Sequence, residues 1–350
     1  MKKRILLVVG LQIFMVLSSC SSDSGDNNSP ITEELREGEI KADFISGYSV
    51  DDFVIDNDGG AFIVGQTPND KDYLIKFQQI DKNGNSTLLK GITDVSLLQS
   101  RLAVSPTGDF LLTAYNNHSD GNKIFRFQNN YTELNLFYTM QPISSPLANK
   151  FNITAITGNN DNTYFVFDQG NKQMKRFVPE LNTDVFVAGS GKNAIVDGTG
   201  LDAGLGSVSK IISHNNILYF IDNLDIDNTF VSSNIRKLEY VNNQWKITTL
   251  LSTTISSEYF RDIVFDSKND FLVLKGKGIY KLNLSDNTFS LFKEGELKIV
   301  AFGKNATHRQ AVDFTYLKSF KIKNNDLYLV TNSDMIKISD FQAKFTAAEK

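Results

Sequence analysis

The chain has 350 residues, with 36 basic and 40 acidic side chains, 26 Phe and 12 Tyr, but only 6 Pro and one Cys. A formal charge of −4 supplies no basic field for a nucleic-acid backbone, and a single cysteine excludes a disulfide framework. No window of about 11–18 residues keeps a 3.6-residue apolar period, so helices are expected to be few.

The N-terminus comes first in chain order. Lys2-Lys3-Arg4 is a basic head, residues 5–16 form an apolar run broken only by Gly10 and Gln12, and Leu17-Ser18-Ser19-Cys20 has the form of a lipobox. Residues 1–19 therefore read as a lipoprotein signal peptide and Cys20 as the lipid-attachment site. The alternative is an ordinary cysteine beside a plain signal-peptidase site. A multiply acylated cysteine anchors to a membrane where one chain binds only marginally. Loss of Lys2, Lys3 and Arg4 lowers the 36 basic residues by three, to 33 against 40 acidic ones, and makes the chain more acidic. Residues 20–38 are polar and low in complexity and read as a flexible acidic tether. Their Ser/Asp-rich start resembles the segment that follows the lipid-bearing Cys in surface-exported lipoproteins of the Bacteroidota. That resemblance implies a lipid-anchored address on the outer membrane, at the cell surface.

Residues 39–350 carry a repeat. Apolar, any residue, Lys or Arg, apolar recurs six times, with its basic residue at Lys76, Arg126, Arg176, Lys237, Lys281 and Lys337. The steps of 50, 50, 61, 44 and 56 residues average about 52, near the upper end of propeller blade periods. An apolar run precedes each copy, as in Ala61-Phe62-Ile63-Val64, Tyr164-Phe165-Val166-Phe167 and Leu327-Tyr328-Leu329-Val330. Asn, Asp or Gly introduces each run, and these residues accept the positive φ of tight hairpin turns. The reading is an all-β, single-domain, six-bladed β-propeller of four-stranded blades, the basic segment being strand three. The sixth outer strand is missing from its place. Residues 40–45, returning from the N-terminus, are expected to complete that blade, with residues 341–346 as the alternative.

Blade four carries a family resemblance. Ala188-Gly189-Ser190-Gly191, Asp197-Gly198-Thr199-Gly200, Leu218-Tyr219-Phe220-Ile221-Asp222-Asn223 and Asn234-Ile235-Arg236-Lys237-Leu238 resemble an NHL repeat. The match departs at Val208 or Ser209, at His214 and at an insertion over residues 224–233. NHL-like propellers are mostly binding platforms, with a minority of lyases and related lactonases, and the resemblance implies that range.

The candidate sites follow from the fold. Loops between strands two and three, and between an outer strand and the next inner strand, open on one face of a propeller. Here they span residues 115–121, 168–171, 191–205, 222–233, 275–277 and 305–313, and long loops carry function. The candidate ligand-binding residues are Tyr115, Asn117, Asp168, Asn171, Asp222, Asp225, Lys275 and Arg309. No cofactor is expected. A calcium ion near Asp222, Asp225 and Asp227 is the weaker reading, because that cluster lacks the Gly and terminal Glu of an EF-hand loop. His118, His214 and His308 fall in separate units without metal-ligand spacing, and no nucleophile elbow or phosphate loop occurs. Inner strands and flanks offer Asp51, Asp52, Asn152, Ser209, Asp262 and Lys318, too few ligands in register for a catalytic metal. A non-catalytic platform for an extracellular glycan, peptide or protein is therefore favoured. The alternative is a lactonase- or lyase-type enzyme with a metal in its central channel.

Overall fold

The computed structural model describes residues 34–46, 49–56, 59–66, 75–81, 86–92, 101–105, 107–113, 121–128, 133–140, 152–302, 307–332 and 334–348. The propeller is the second of two units, Leu35–Lys350. Its strands run β1 (Glu39–Ser46); β2 (Ser49–Ile55), β3 (Ala61–Gln66), β4 (Ile75–Ile80) and β5 (Ser86–Ile92) in blade 1; and β6 (Leu102–Val104), β7 (Phe110–Thr113), β8 (Lys123–Gln128) and β9 (Glu133–Thr139) in blade 2. Blade 3 is β10 (Ile153–Gly158), β11 (Tyr164–Asp168), β12 (Gln173–Val178) and β13 (Thr183–Ala188). Blade 4 takes β14 (Gly198–Thr199) onto its outer edge, beside β15 (Ser207–His214), β16 (Ile217–Ile226), β17 (Thr229–Val241) and β18 (Gln244–Thr253). Blade 5 is β19 (Phe260–Phe265), β20 (Phe271–Lys275), β21 (Gly278–Asn283) and β22 (Thr288–Glu294). After β23 (Glu296–Phe302) and β24 (Thr307–Asp313) come β25 (Ser319–Lys323), β26 (Asp326–Val330) and β27 (Met335–Ile338) of blade 6, and then helix α1 (Phe341–Ala348).

Second strands are apolar along their length because blades stack face to face. Every residue of β7 and β11 is buried. Six hydrophobic clusters result, one at each junction between neighbouring blades. Phe62 of blade 1 stacks on Phe110 of blade 2 with centroids 4.7 Å apart. Hairpin turns follow the sequence signal: Asn215-Asn216, Asp227-Asn228, Asn242-Asn243 and Asn324-Asn325 all have both central residues at positive φ.

β1 closes the ring as expected, pairing antiparallel with β27 (Phe44 opposite Ile336). It also pairs parallel with β23, so the β23–β24 hairpin extends blade 6 to six strands. The stretch expected as a face loop at 305–313 is therefore largely β24. Residues 341–346 are helical instead, with Phe341 and Phe345 packed on Phe292 at 5.8 and 6.2 Å. The insertion at 224–233 is not a loop either. β16 and β17 continue through it to the Asp227-Asn228 turn, with Ile226 opposite Thr229. Polar and apolar residues there alternate well enough to keep the ladder going past the blade's edge.

Candidate functional site

The residues of the stretch from Ala188 to Leu238 hold one another. Arg236 is fully buried; its Nη1 donates to Asp222 Oδ2 and to Gly204 O, both at 2.7 Å, and its Nη2 to Val196 O at 2.8 Å and Asp197 Oδ1 at 3.2 Å. Asp197 also accepts from the Thr249 amide at 2.9 Å, which fixes the 191–205 loop to β18. Burial pushes the Asp222 carboxyl up to about 6, against the opposing pull of Arg236. Gly189 (φ 123°) and Gly206 admit no side chain, since a Cβ on either would lie 2.3 Å from a backbone oxygen, of Lys172 and Asn223 respectively. Blade 3 repeats the theme: Asn171 Nδ2 donates to buried Asp168 at 2.6 Å, and buried Lys175 lies 3.7 Å from it.

Of the sequence candidates, Asp168, Asn171 and Asp222 are thus interior groups of the blade edges. Lys275 pairs with Glu258 at 2.7 Å and lies over the Tyr280 ring. Arg309 lies in β24 and pairs with Glu39 of β1 at 3.2 Å. Asp225 is exposed on the β16–β17 ribbon, where its carbonyl accepts from Asn193 at 2.9 Å. Tyr115 and Asn117 lie outside the described residues. The structure does not bring the six described candidates together in one site.

It assembles two other groups along the propeller axis. Inner strands β2, β10, β15 and β19 carry a bulge at the same level, which turns Asp52, Ala155, Lys210 and Asp262 to face the equivalent second-strand residues Val64, Phe167, Ile221 and Leu274. Asp52 and Asp262 each bridge to the next blade. Asp52 Oδ2 accepts from the Leu102 amide at 2.9 Å, and Asp262 Oδ2 from the Phe320 amide at 3.1 Å and from the Ser319 hydroxyl. Lys210 Nζ stands 3.4 Å from Asp262 Oδ1. Burial lowers the Lys210 pKa, but the Asp262 and Asp52 carboxylates outweigh it and hold the ammonium above its ordinary range. Lys321, two positions beyond Ser319, is desolvated beside Lys210 and pushed down to about 8. Asp52, Lys210 and Lys321, with Arg101, line an axial cavity of about 150 Å³.

That donor set does not fit a divalent metal. Both carboxylates already accept backbone amides, and Lys210, Lys321 and Arg101 occupy the positions where anionic ligands would have to stand. Among the described residues no three His, Cys, Asp or Glu side chains converge. His214, on the opposite face, stacks on Phe265 at 3.8 Å.

The second group opens on the face. A cavity of about 390 Å³ lies where blades 4, 5 and 6 meet, and it shares Ser209 with the axial one. Its walls come from segments just ahead of two inner strands. Tyr259 precedes β19, and Tyr316 sits in the 3-10 turn Phe314–Tyr316 before β25. Tyr316 is 65% and Tyr259 43% exposed. Asn223, Asn332 and Lys318 complete the polar lining.

Arg261 fastens these walls. Its Nη1 donates to Thr315 O at 2.8 Å and Leu317 O at 2.7 Å, its Nη2 donates to Gly276 O, and its guanidinium lies 6.0 Å from the Tyr259 ring centroid. Asp313 caps the Tyr316 turn by accepting from the Thr315 amide at 2.8 Å. Asn223 Oδ1 and Arg261 Nε are buried with no hydrogen-bond partner among the described residues. Two residues of one cavity therefore hold bonding capacity that the fold leaves unused, and such groups call for an explanation.

Sequence reasoning passed over Tyr259, Arg261 and Tyr316. The available signal was a Tyr just ahead of the inner strand in consecutive blades. An acyl nucleophile or phosphate cradle is not what these residues make. Two aromatic rings, amides, a hydroxyl and a lysine can hold a ring-shaped polar ligand.

Fold and site together define a six-bladed β-propeller with a packed charge cluster on its axis and an aromatic cavity on one face. No protein-family model matches the chain, nor does any curated protein sequence. Solved structures do match. An auxiliary nutrient binding protein from Bacteroides thetaiotaomicron is 12% identical with a TM-score of 0.56, over 85% of this chain and 69% of that one. One from Bacteroides ovatus is 12% identical with a TM-score of 0.54, over 87% and 74%. Virginiamycin B lyase from Staphylococcus aureus is 12% identical with a TM-score of 0.51, over 84% and 94%. At this identity the likeness is one of fold.

Proposed function

We propose that this protein is a lipid-anchored lipoprotein of the outer membrane that captures an extracellular nutrient ligand in the face cavity between blades 4, 5 and 6, without chemically changing it. One observation carries the reading: two exposed tyrosines, with Asn223, Asn332 and Lys318, line an open cavity of about 390 Å³, within the size range of small-molecule sites. The lipobox at Cys20 and the acidic tether supply the anchor, and the nutrient binding proteins that share the fold support the role. The lyase neighbour points to chemistry, but the axial residues here are cations and bridging carboxylates with no free ligand set.

The test has two arms. Labelled fatty acid should enter the wild-type chain and not Cys20→Ser. A panel of oligosaccharides and peptides, titrated against the full chain, should yield at least one binder that is recovered unaltered. Turnover of a panel member would replace the binding reading with an enzymatic one.

A further inference from the structure

The chemistry of the face cavity narrows its ligand. Sugar rings present C–H faces that pack on aromatic rings and a rim of hydroxyls that pair with amides and hydroxyls. Tyr259 and Tyr316 offer such faces, and Asn223, Asn332 and Ser209 such partners. The charged residues lining the cavity are Arg261 and Lys318, with no carboxylate among them, in a chain whose net charge is −4. Arg261 is held by three backbone carbonyls. Lys318 is exposed, and its ammonium is the cation at the cavity that no hydrogen bond to a backbone carbonyl fixes among those described. Asp51 is a carboxylate whose charge acts on Lys318 and Arg101. Burial raises its pKa, against the opposing pull of Arg101 and Lys318. Past Ser209, Arg101, Lys210 and Lys321 line the axial cavity, and with Arg261 and Lys318 they make five cations against the carboxylates of Asp51, Asp52 and Asp262.

We propose that the cavity recognises a saccharide bearing a carboxylate, its ring against Tyr259 and Tyr316 and its acid group on Lys318. The inference rests on the binding role proposed above and adds the ligand class. Low-dielectric walls focus the field of the cations toward the mouth, which favours an acidic sugar over its neutral counterpart of the same shape. The aromatic walls alone would not discriminate between them.

The test pairs each acid with its neutral match. Calorimetric titration of the full chain with glucuronate, galacturonate and mannuronate oligosaccharides, and with the corresponding neutral hexose oligomers, should show at least one uronate binding at least tenfold more tightly than its match. Lys318→Met, at an exposed position where folding should be unaffected, should remove the advantage of that uronate over its neutral match. Raised salt should weaken only the acid. Equal binding of acid and neutral sugars, or a uronate preference that survives Lys318→Met, overturns the ligand class while the binding role stands. If no saccharide binds, or if Tyr316→Ala leaves every affinity unaltered, the binding role in this cavity falls instead.

Discussion

The axial cavity and the face cavity share Ser209 of β15, yet their chemistry differs throughout. On the axis every described carboxylate joins a bridge between blades: Asp52 ties blade 1 to blade 2, and Asp262 ties blade 5 to blade 6. On the face, Tyr316, Tyr259 and Lys318 stand open to solvent, and only Arg261 among the charged residues is locked. The contrast teaches that charge density does not mark the site in this propeller. The polar groups that look catalytic close the ring, and the groups left over on the face are available to a ligand.

The largest expected effect breaks the axial side of this contrast. Asp262→Ala would leave Lys210 without its near counter-charge and the Phe320 amide without its acceptor, and should cost about 3–5 kcal/mol of stability in denaturant unfolding. Loss of less than about 1 kcal/mol would mean the axial network is not structural. Arg261→Ala comes next, since three carbonyls lose their donor: a cost of about 2 kcal/mol is expected, with sugar binding weakened at the same time. Arg261→Lys should not restore binding, because one ammonium cannot reproduce the planar fork. Tyr316→Ala should do the reverse of Asp262→Ala. Stability should stay within about 0.5 kcal/mol and affinity fall about tenfold, roughly 1.4 kcal/mol.

The smallest effect is one of pH. Lys321 has a pKa of about 8 in the fold, against roughly 10.4 in the unfolded chain. Between those values the unfolded state binds the extra proton, so stability should rise as pH goes from about 8 toward 10, by on the order of 1 kcal/mol. Lys210, whose pKa is raised, keeps its proton throughout that window and adds no opposing slope. Thermal unfolding of wild type and Lys321→Met across pH 7–10 should differ by this rise. Parallel curves would mean that Lys321 titrates normally.

Much of the propeller was legible before any coordinates. The basic third strands, the Asn and Asp turns and the closing strand at residues 40–45 all stand where periodicity placed them, because blade repetition writes the same local physics six times. The β23–β24 hairpin and the β16–β17 ribbon were not legible. The hairpin adds strands and the ribbon lengthens two of them outside the repeat, where no period exists to expose them. Asp168 and Asp222 read as face-loop ligands because Asp after an apolar strand is ordinarily solvated. Their buried partners, Lys175 and Arg236, sit one residue ahead of the repeated basic position and so on the opposite face of strand three. Tyr259 and Tyr316 escaped because a cavity shared by three blades is built from residues far apart in sequence.

The central claim is that ligand occupies the face cavity and leaves the axial network as it stands. Hydrogen–deuterium exchange of the full chain, with and without a saturating oligosaccharide found to bind, tests this most directly. Slowed exchange confined to residues 255–261 and 314–318, with the amides of Leu102 and Phe320 unchanged, is the result the account predicts. Slowed exchange at blades 1 to 3, with none at those two segments, would contradict it.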